Sequence, residues 1–562
     1  MIRRSSPPPS TIAGLRRGLL RTACLTAGLA AVFPLSAREP TAPAERLDLQ
    51  TASIADLQRA MDAGALSSQR LVRLSLARIR AYEPQLHALI SVAPDALAQA
   101  RRLDAERRAR GPRSPLHGIP VLVKDNIDTA DLPTTLGFYG LKGARPRGDA
   151  TVVARLRAAG AIVLAKTNLS ELASGPALSS LGGQTRNPHA LDRSPAGSSG
   201  GTAAGVAAGY APLGIATDTT GSVRWPAASN GVVGLRPATG ALPTTGVQPT
   251  APSLDAVGIL ARSVADAALA LRVVQAPSPA RDAPDCAPDD APLRGVRLGF
   301  ARQDFSGDDD AVDAVVANAL AQARAAGAEV VEIELPPWLL PTAKQLQAAL
   351  VRNESAPSLD AYLRAAFAPP APQSHAELLA LAERLAAAPP ADATPNPGRL
   401  RGYRDEAAAP GLDDPVYRAA RDEGLRFFRA SLDAALARQR LDALIFPTQT
   451  RRIERIGEPA RVNARGLFGN FPGSLASLAG WPELTVPAGA TADGLPVGMS
   501  LLIPARDQAR LPALGRALER RWHGLRQPAA TPPLAGEAFE YAPRTRDGAG
   551  GCARPRAAGA SA

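Results

Sequence analysis

Two serines and one lysine in this 562-residue chain stand where they can do chemistry. Ser198 lies in Ala196-Gly197-Ser198-Ser199-Gly200-Gly201, and Ser222 in Asp218-Thr219-Thr220-Gly221-Ser222-Val223-Arg224. Glycine beside serine lets the backbone approach a ligand closely, with its N–H groups free to bind it. Singly, either loop also reads as a flexible turn. Together they frame an Ala/Gly-rich helix over 202–211 and an apolar strand over 212–216, and the pair reads as one built site. Attack by serine on an amide needs a base for the hydroxyl, an acid for the leaving amine and donors for the oxyanion. None of the five histidines (His87, His117, His189, His375 and His523) stands in a loop that announces a Ser-His-Asp arrangement. Lys124 closes the apolar strand 119–123. A lysine there either snorkels to the surface or is a buried base whose pKa burial has lowered.

Taken as an ordered set, these runs resemble the amidase signature hydrolases. The resemblance rests on Leu116-His117-Gly118-Ile119-Pro120-Val121-Leu122-Val123-Lys124-Asp125-Asn126, the two serine loops, and Gly231-Val232-Val233-Gly234-Leu235-Arg236-Pro237. It runs from about residue 49 to 519. Gly183-Gln184-Thr185-Arg186-Asn187-Pro188 and Leu191-Asp192-Arg193-Ser194-Pro195 are similar to the exported bacterial amidase and peptide amidase branch. The resemblance implies an α/β fold: one domain over 38–541, its signature core at about 116–240, with a mixed central β-sheet flanked by α-helices.

The resemblance also implies roles. Ser222 would be the nucleophile, and Ser198, on a cis Gly197–Ser198 peptide, would bridge it to Lys124. Backbone N–H groups of Thr219, Thr220, Gly221 and Ser222 would form the oxyanion hole, supported by Asp218, Arg224 and Ser199. Thr220 and Ala196 stand where family members often carry glycine. A β-branched residue resists positive φ, so Thr220 must take an ordinary backbone conformation. The implied reaction cleaves a small acyl amide or a peptide C-terminal amide to the acid and ammonia or an amine, through an acyl-enzyme, with no cofactor and no metal.

Other readings compete. An aryl-amide, acyl-amide or ester hydrolase of the same family fits these residues, as does the amidase component of tRNA-dependent amidotransferases. A non-catalytic anion-binding protein would need the backbone N–H groups but no particular serine or lysine. Gly197-Ser198-Ser199-Gly200-Gly201 also satisfies G-x-S-x-G, with Ser199 as nucleophile and His523 as base, but no apolar strand precedes it.

The elements around these residues alternate. Apolar residues from Leu57 to Leu86 recur at helical spacing, with Ser53 and Ser67 or Ser68 as N-caps. A helix over 151–159 and a strand over 161–165 lead to Thr167-Asn168-Leu169-Ser170-Glu171, which resembles the family's loop beside the active site. Strands are expected over 296–300, 330–335, 443–446 and 484–486, and Gly494-Leu495-Pro496-Val497-Gly498-Met499 resembles a hairpin. The Pro- and Ala-rich stretch 366–411 reads as an insertion bordering the pocket.

Residues 1–37 read as a cleaved export leader. Arg3, Arg4, Arg16, Arg17 and Arg21 stand there without an acidic residue, an apolar run covers 22–33, and Leu35-Ser36-Ala37 is a small-residue cleavage pattern. Arg16-Arg17-Gly18-Leu19-Leu20-Arg21 resembles a twin-arginine address. An exported, periplasmic or secreted protein is expected, without a stable membrane anchor. The five arginines carry part of the formal +12 charge. The remainder forms no basic run with interleaved aromatics, which argues against a nucleic-acid partner. Cys286 and Cys552 sit in Pro- or Gly-rich stretches and leave a disulfide open. Residues 276–292 read as a linker, and 542–562 as a disordered tail.

Overall fold

Short apolar runs, too short for buried helices, pair side by side into one mixed sheet. In the computed structural model, which describes residues 44–275, 293–459, 461–463 and 466–543, the sheet has eleven strands. They are β1 (Leu89–Val92), β2 (Pro120–Lys124), β3 (Ile162–Thr167), β4 (Leu213–Asp218), β5 (Val233–Arg236), β6 (Ala256–Ala261), β7 (Arg297–Phe300), β8 (Glu329–Glu332), β9 (Ala443–Pro447), β10 (Glu483–Ala490) and β11 (Pro496–Leu502). Their spatial order is β8-β7-β9-β11-β10-β5-β6-β4-β2-β3-β1. β2 runs parallel to β3 and β4. Every residue of β2, β3 and β4 is buried, as expected of strands covered on both faces. The helix Gly200–Ala207 packs on β2 and β4, Val264–Val274 on β6, and Leu511–Trp522 on β10. The α/β architecture implied by the resemblance is the one observed.

Small residues set how closely the central layers approach. A Cβ on Gly201 would stand 2.3 Å from the carbonyl oxygen of Asn168 and 2.4 Å from that of Ala88. On Gly214 of β4 it would stand 2.4 Å from Thr202 Cγ2. The Ala/Gly composition is therefore what lets the helix after Ser198 lie on the sheet. That helix ends earlier than the expected 202–211, because Gly209 (φ 74) takes a left-handed turn that redirects the chain toward β4. At the first helices Ser53 forms a capping box with Asp56, and Ser67 rather than Ser68 caps the second, accepting from Arg70 N–H at 3.1 Å.

β3 runs past its expected end at 165, through Lys166 to Thr167. Lys166 Nζ lies 3.0 Å from Asp125 Oδ1, both side chains fully buried, and donates to Thr134 Oγ1 at 2.8 Å. A lysine that would end a strand in isolation continues it here because a buried carboxylate meets it. The stretch 366–411, expected as an insertion bordering the pocket, is largely helical. It carries the helices His375–Ala387 and Pro397–Ala407, which pack with the long helix Leu339–Ala366. Leu359, Leu363, Phe367, Leu378 and Tyr403 form a second small core there with Leu136, Phe138 and Leu172.

Among the described residues no helix is long and apolar enough to cross a membrane. The expected leader over 1–37, the linker 276–292, Cys286, Cys552 and all but the first two residues of the expected tail lie outside the described residues.

Candidate active site

Parallel neighbours bring their carboxyl ends to one edge of a sheet, and that edge is where α/β proteins place ligands. β2 ends there with Lys124, and β4 with Thr217 and Asp218. The Ser198 loop enters the helix Gly200–Ala207 over the same strands, and the Ser222 loop leaves β4 directly.

Lys124 is fully buried. Its Nζ donates to Ser198 Oγ at 2.7 Å and to Thr217 Oγ1 at 2.8 Å, with Thr217 C=O at 3.4 Å. Asn126 Nδ2 also donates to Thr217 Oγ1, at 3.0 Å, which fixes that hydroxyl. Burial pushes the lysine down to about 7, against the opposing pull of Asp218 and Asp255. The surface reading of Lys124 is thereby excluded by its position.

The Ser198 loop is held from several sides. Its Gly197–Ser198 peptide is cis, Ser198 C=O accepts from Ser170 N–H at 3.0 Å, and Ala196 sits at φ 62. Ser199 ties the two loops together: its N–H donates to Ser222 C=O at 3.2 Å and its hydroxyl to Thr217 C=O at 3.2 Å. Ser222 is partly exposed to a cavity of about 1010 Å³ that Ser198 also lines, and its hydroxyl finds no hydrogen-bond partner among the described residues.

Asp218 organises the second loop from beneath. Its carboxylate accepts from Gly221 N–H (3.0 Å), Val223 N–H (2.9 Å), Arg224 Nε (3.0 Å) and Nη2 (2.7 Å), and Arg236 Nη1 (3.2 Å). Burial alone would raise this carboxyl, but the Arg224 and Arg236 guanidiniums outweigh it and hold the group well below the carboxylate range. Arg224 reaches on to Glu483 Oε2 at 2.6 Å and Gly473 C=O at 2.5 Å. Thr219 donates its hydroxyl to Asp255 Oδ1 at 2.6 Å.

This arrangement changes one expected detail. Gly221 N–H, an expected oxyanion donor, is already committed to Asp218, because φ 133 at Gly221 turns its peptide inward. The backbone N–H groups of Thr219, Thr220 and Ser222 have no partner among the described residues. Thr220 keeps an ordinary backbone, with no positive φ. Ser199 and His523 are not brought together: His523 is exposed, ends the helix Leu511–Trp522, and does not line the cavity.

Sequence reasoning missed Thr217, Asn126, Ser170, Asp255, Arg236 and Glu483. Asn126 lay two residues past Lys124 and Thr217 one before Asp218, so both were within reach of the motifs. Glu483 comes from a strand of the C-terminal hairpin and carried no local signal. The cavity wall includes the expected 366–411 stretch, through Arg399, Gly402, Asp405 and Glu406. The loop at Ala173 and the 449–458 strip also line it. No group of three or more His, Cys, Asp or Glu side chains among the described residues is gathered as a metal ion would require.

Comparison with known proteins gives consistent matches. The family model described as Amidase matches residues 70–511. The solved peptide amidase from Stenotrophomonas maltophilia is 37% identical with a TM-score of 0.74, covering 85% of this chain and 98% of that one. A Glutamyl-tRNA(Gln) amidotransferase subunit from Roseiflexus castenholzii is 37% identical over 489 residues, 84% of this chain and 96% of its own. A 6-aminohexanoate cyclic dimer hydrolase, solved with substrate, is 25% identical with a TM-score of 0.66, covering 86% of this chain and 100% of that one.

Proposed function

The chain belongs to the amidase family, enzymes acting on amide C–N bonds, and on that premise we propose that it hydrolyses the C-terminal amide of short peptides or small acyl amides, through an acyl-enzyme on Ser222. One observation carries the reading: a fully buried Lys124, pushed down to about 7, lies 2.7 Å from Ser198 in a cavity that Ser222 shares. The cavity also far exceeds what a two-carbon amide fills, which favours an extended substrate. The peptide amidase likeness supports the same class.

In the proposed reaction neutral Lys124 accepts the Ser198 proton while Ser198 accepts that of Ser222. Ser222 Oγ bonds to the amide carbon, and the N–H groups of Thr219, Thr220 and Ser222 hold the oxyanion. The proton returns through Ser198 to the leaving nitrogen, the C–N bond breaks and ammonia departs. Water then repeats the sequence on the ester, releasing the acid and the free serine. Asp218 stays ionised throughout and keeps the loop in shape through Arg224. The leader read over 1–37 extends the proposal to an exported enzyme, which cell fractionation with Arg16→Lys and Arg17→Lys tests.

The deciding assay is ammonia release from primary amides, amidated dipeptides and glutamine. Wild type runs beside Ser222→Ala, Ser198→Ala and Lys124→Ala. Ser222→Ala and Lys124→Ala should fall to background and Ser198→Ala should be strongly impaired. A Ser222→Ala protein at the wild-type rate sinks the mechanism. Turnover of glutamine alone moves the substrate assignment toward the amidotransferase relatives.

A further inference from the structure

Resting on the reading of this cavity as the place where an amidated peptide is cut, we propose that Glu454 selects substrates bearing a positive charge, an ammonium or guanidinium, within a few residues of the scissile amide. Glu454 is half-buried on the cavity wall, and among the described residues no cation or N–H donor meets its carboxylate. The strip around it is rich in arginine, yet each arginine is engaged elsewhere. Arg451 lies 3.6 Å from Asp308, Arg452 2.9 Å from Asp309 and 3.2 Å from Asp493, and Arg455 3.5 Å from Asp192. Further along the wall Arg399 and Glu406 satisfy each other at 2.8 Å. Arg352, on the helix Leu339–Ala366, is exposed and makes no ion pair with Glu454. Asp405 and Glu458 also line the cavity without a cation among the described residues, but both are exposed and water screens them. Glu454 is thus a partly desolvated negative charge with no counter-ion among the described residues, and such a group gains more from a ligand's cation than an exposed one does.

Its place is fixed close to the serines. Glu454 C=O accepts from Ser194 N–H at 3.1 Å, Arg193 Nη1 donates to Ile453 C=O at 2.7 Å, and Arg193 and Arg455 form a β-bridge. Only a few residues separate Ser194 from Ser198, a span of at most about 14 Å of extended chain. A short peptide with its amide at Ser222 therefore brings its own charge into the neighbourhood of this carboxylate.

Two sources of charge share this chemistry, the α-ammonium of a free N-terminus and a basic side chain. The test measures kcat/KM for two pairs: Ala-Phe amide against N-acetyl-Ala-Phe amide, and N-acetyl-Lys amide against N-acetyl-norleucine amide. Wild type should prefer the cationic member of at least one pair by roughly tenfold, expressed in KM. The first pair reports an α-ammonium and the second a side chain. In Glu454→Gln that ratio should fall toward one, and Glu454→Lys should invert it in favour of N-succinyl-Ala-Phe amide. A wild-type ratio near one in both pairs, or a preference that survives in Glu454→Gln, overturns the proposal while leaving the amidase reading intact. If wild type turns over none of these amides, the amidated-peptide reading itself fails, and this proposal fails with it.

Discussion

Replacing Lys124 by methionine should abolish catalysis and yet stabilise the protein, by an amount that shrinks as pH rises. The lysine is fully buried and its pKa falls from 10.5 to about 7. Between those values the unfolded chain holds a proton that the folded protein lacks, so wild-type stability rises with pH in this window, by about 1.4 kcal/mol per unit. Below pH 7 both states carry the charge, and the full cost of burying it, about 5 kcal/mol, is present. Above 10.5 both are neutral and the cost is gone. Methionine matches the lysine in length and carries no charge. It leaves Ser198 Oγ and Thr217 Oγ1 without the amine, a loss of about 1 kcal/mol each, although Asn126 still donates to Thr217. At pH 7 Lys124→Met should therefore be more stable than wild type by about 2–3 kcal/mol. At pH 9 that advantage should fall by about 2 kcal/mol. Equilibrium urea unfolding of both proteins at the two pH values measures this, and all other titrating groups cancel in the comparison. A stability difference that does not change between pH 7 and pH 9 would refute a depressed Lys124, and with it the neutral base.

Two further outcomes follow from the loops. Asp218→Asn leaves the buried Arg224 and Arg236 without their shared carboxylate; unfolding should cost about 3–5 kcal/mol less, with activity lost, as urea midpoints and ammonia release will show, whereas a midpoint near wild type would mean the ion cluster contributes little. Ala196 occupies the left-handed region at φ 62, so Ala196→Gly should stabilise the protein by about 1 kcal/mol with turnover retained; a lower melting temperature would contradict this.

The residues proposed to carry the chemistry were legible in the sequence because their requirements are local. Glycines and small residues around Ser198 and Ser222 are what a backbone needs in order to turn tightly and lie against a sheet, and Gly201 and Gly214 meet neighbours with no room for a side chain. The strand before Lys124 favoured a surface lysine and only the family resemblance pointed to a buried one; Lys124 is in fact fully buried, 2.7 Å from Ser198 Oγ. The strands expected over 119–123, 161–165, 212–216, 296–300 and 443–446 stand within two residues of those observed, whereas β5 and β6, buried along their whole length, were not read as strands.

What the chain alone did not determine is whatever depends on partners far away along it. The strand expected over 161–165 runs on through Lys166 to Thr167, where Asp125, from a neighbouring strand's end, meets the lysine. Thr220 in place of glycine was ambiguous until the loop's geometry put the positive φ on Gly221 instead. The commitment of Gly221 N–H to Asp218 removed an expected oxyanion donor, and Glu483, on the C-terminal hairpin, joined Arg224 only through the sheet. The walls of the cavity come from helices and strips spread between Ala173 and Phe471. Local sequence fixes backbone shape and reactive groups; desolvation, ion pairing and pocket shape are sums over everything that packs nearby, and only the tertiary fold assembles them.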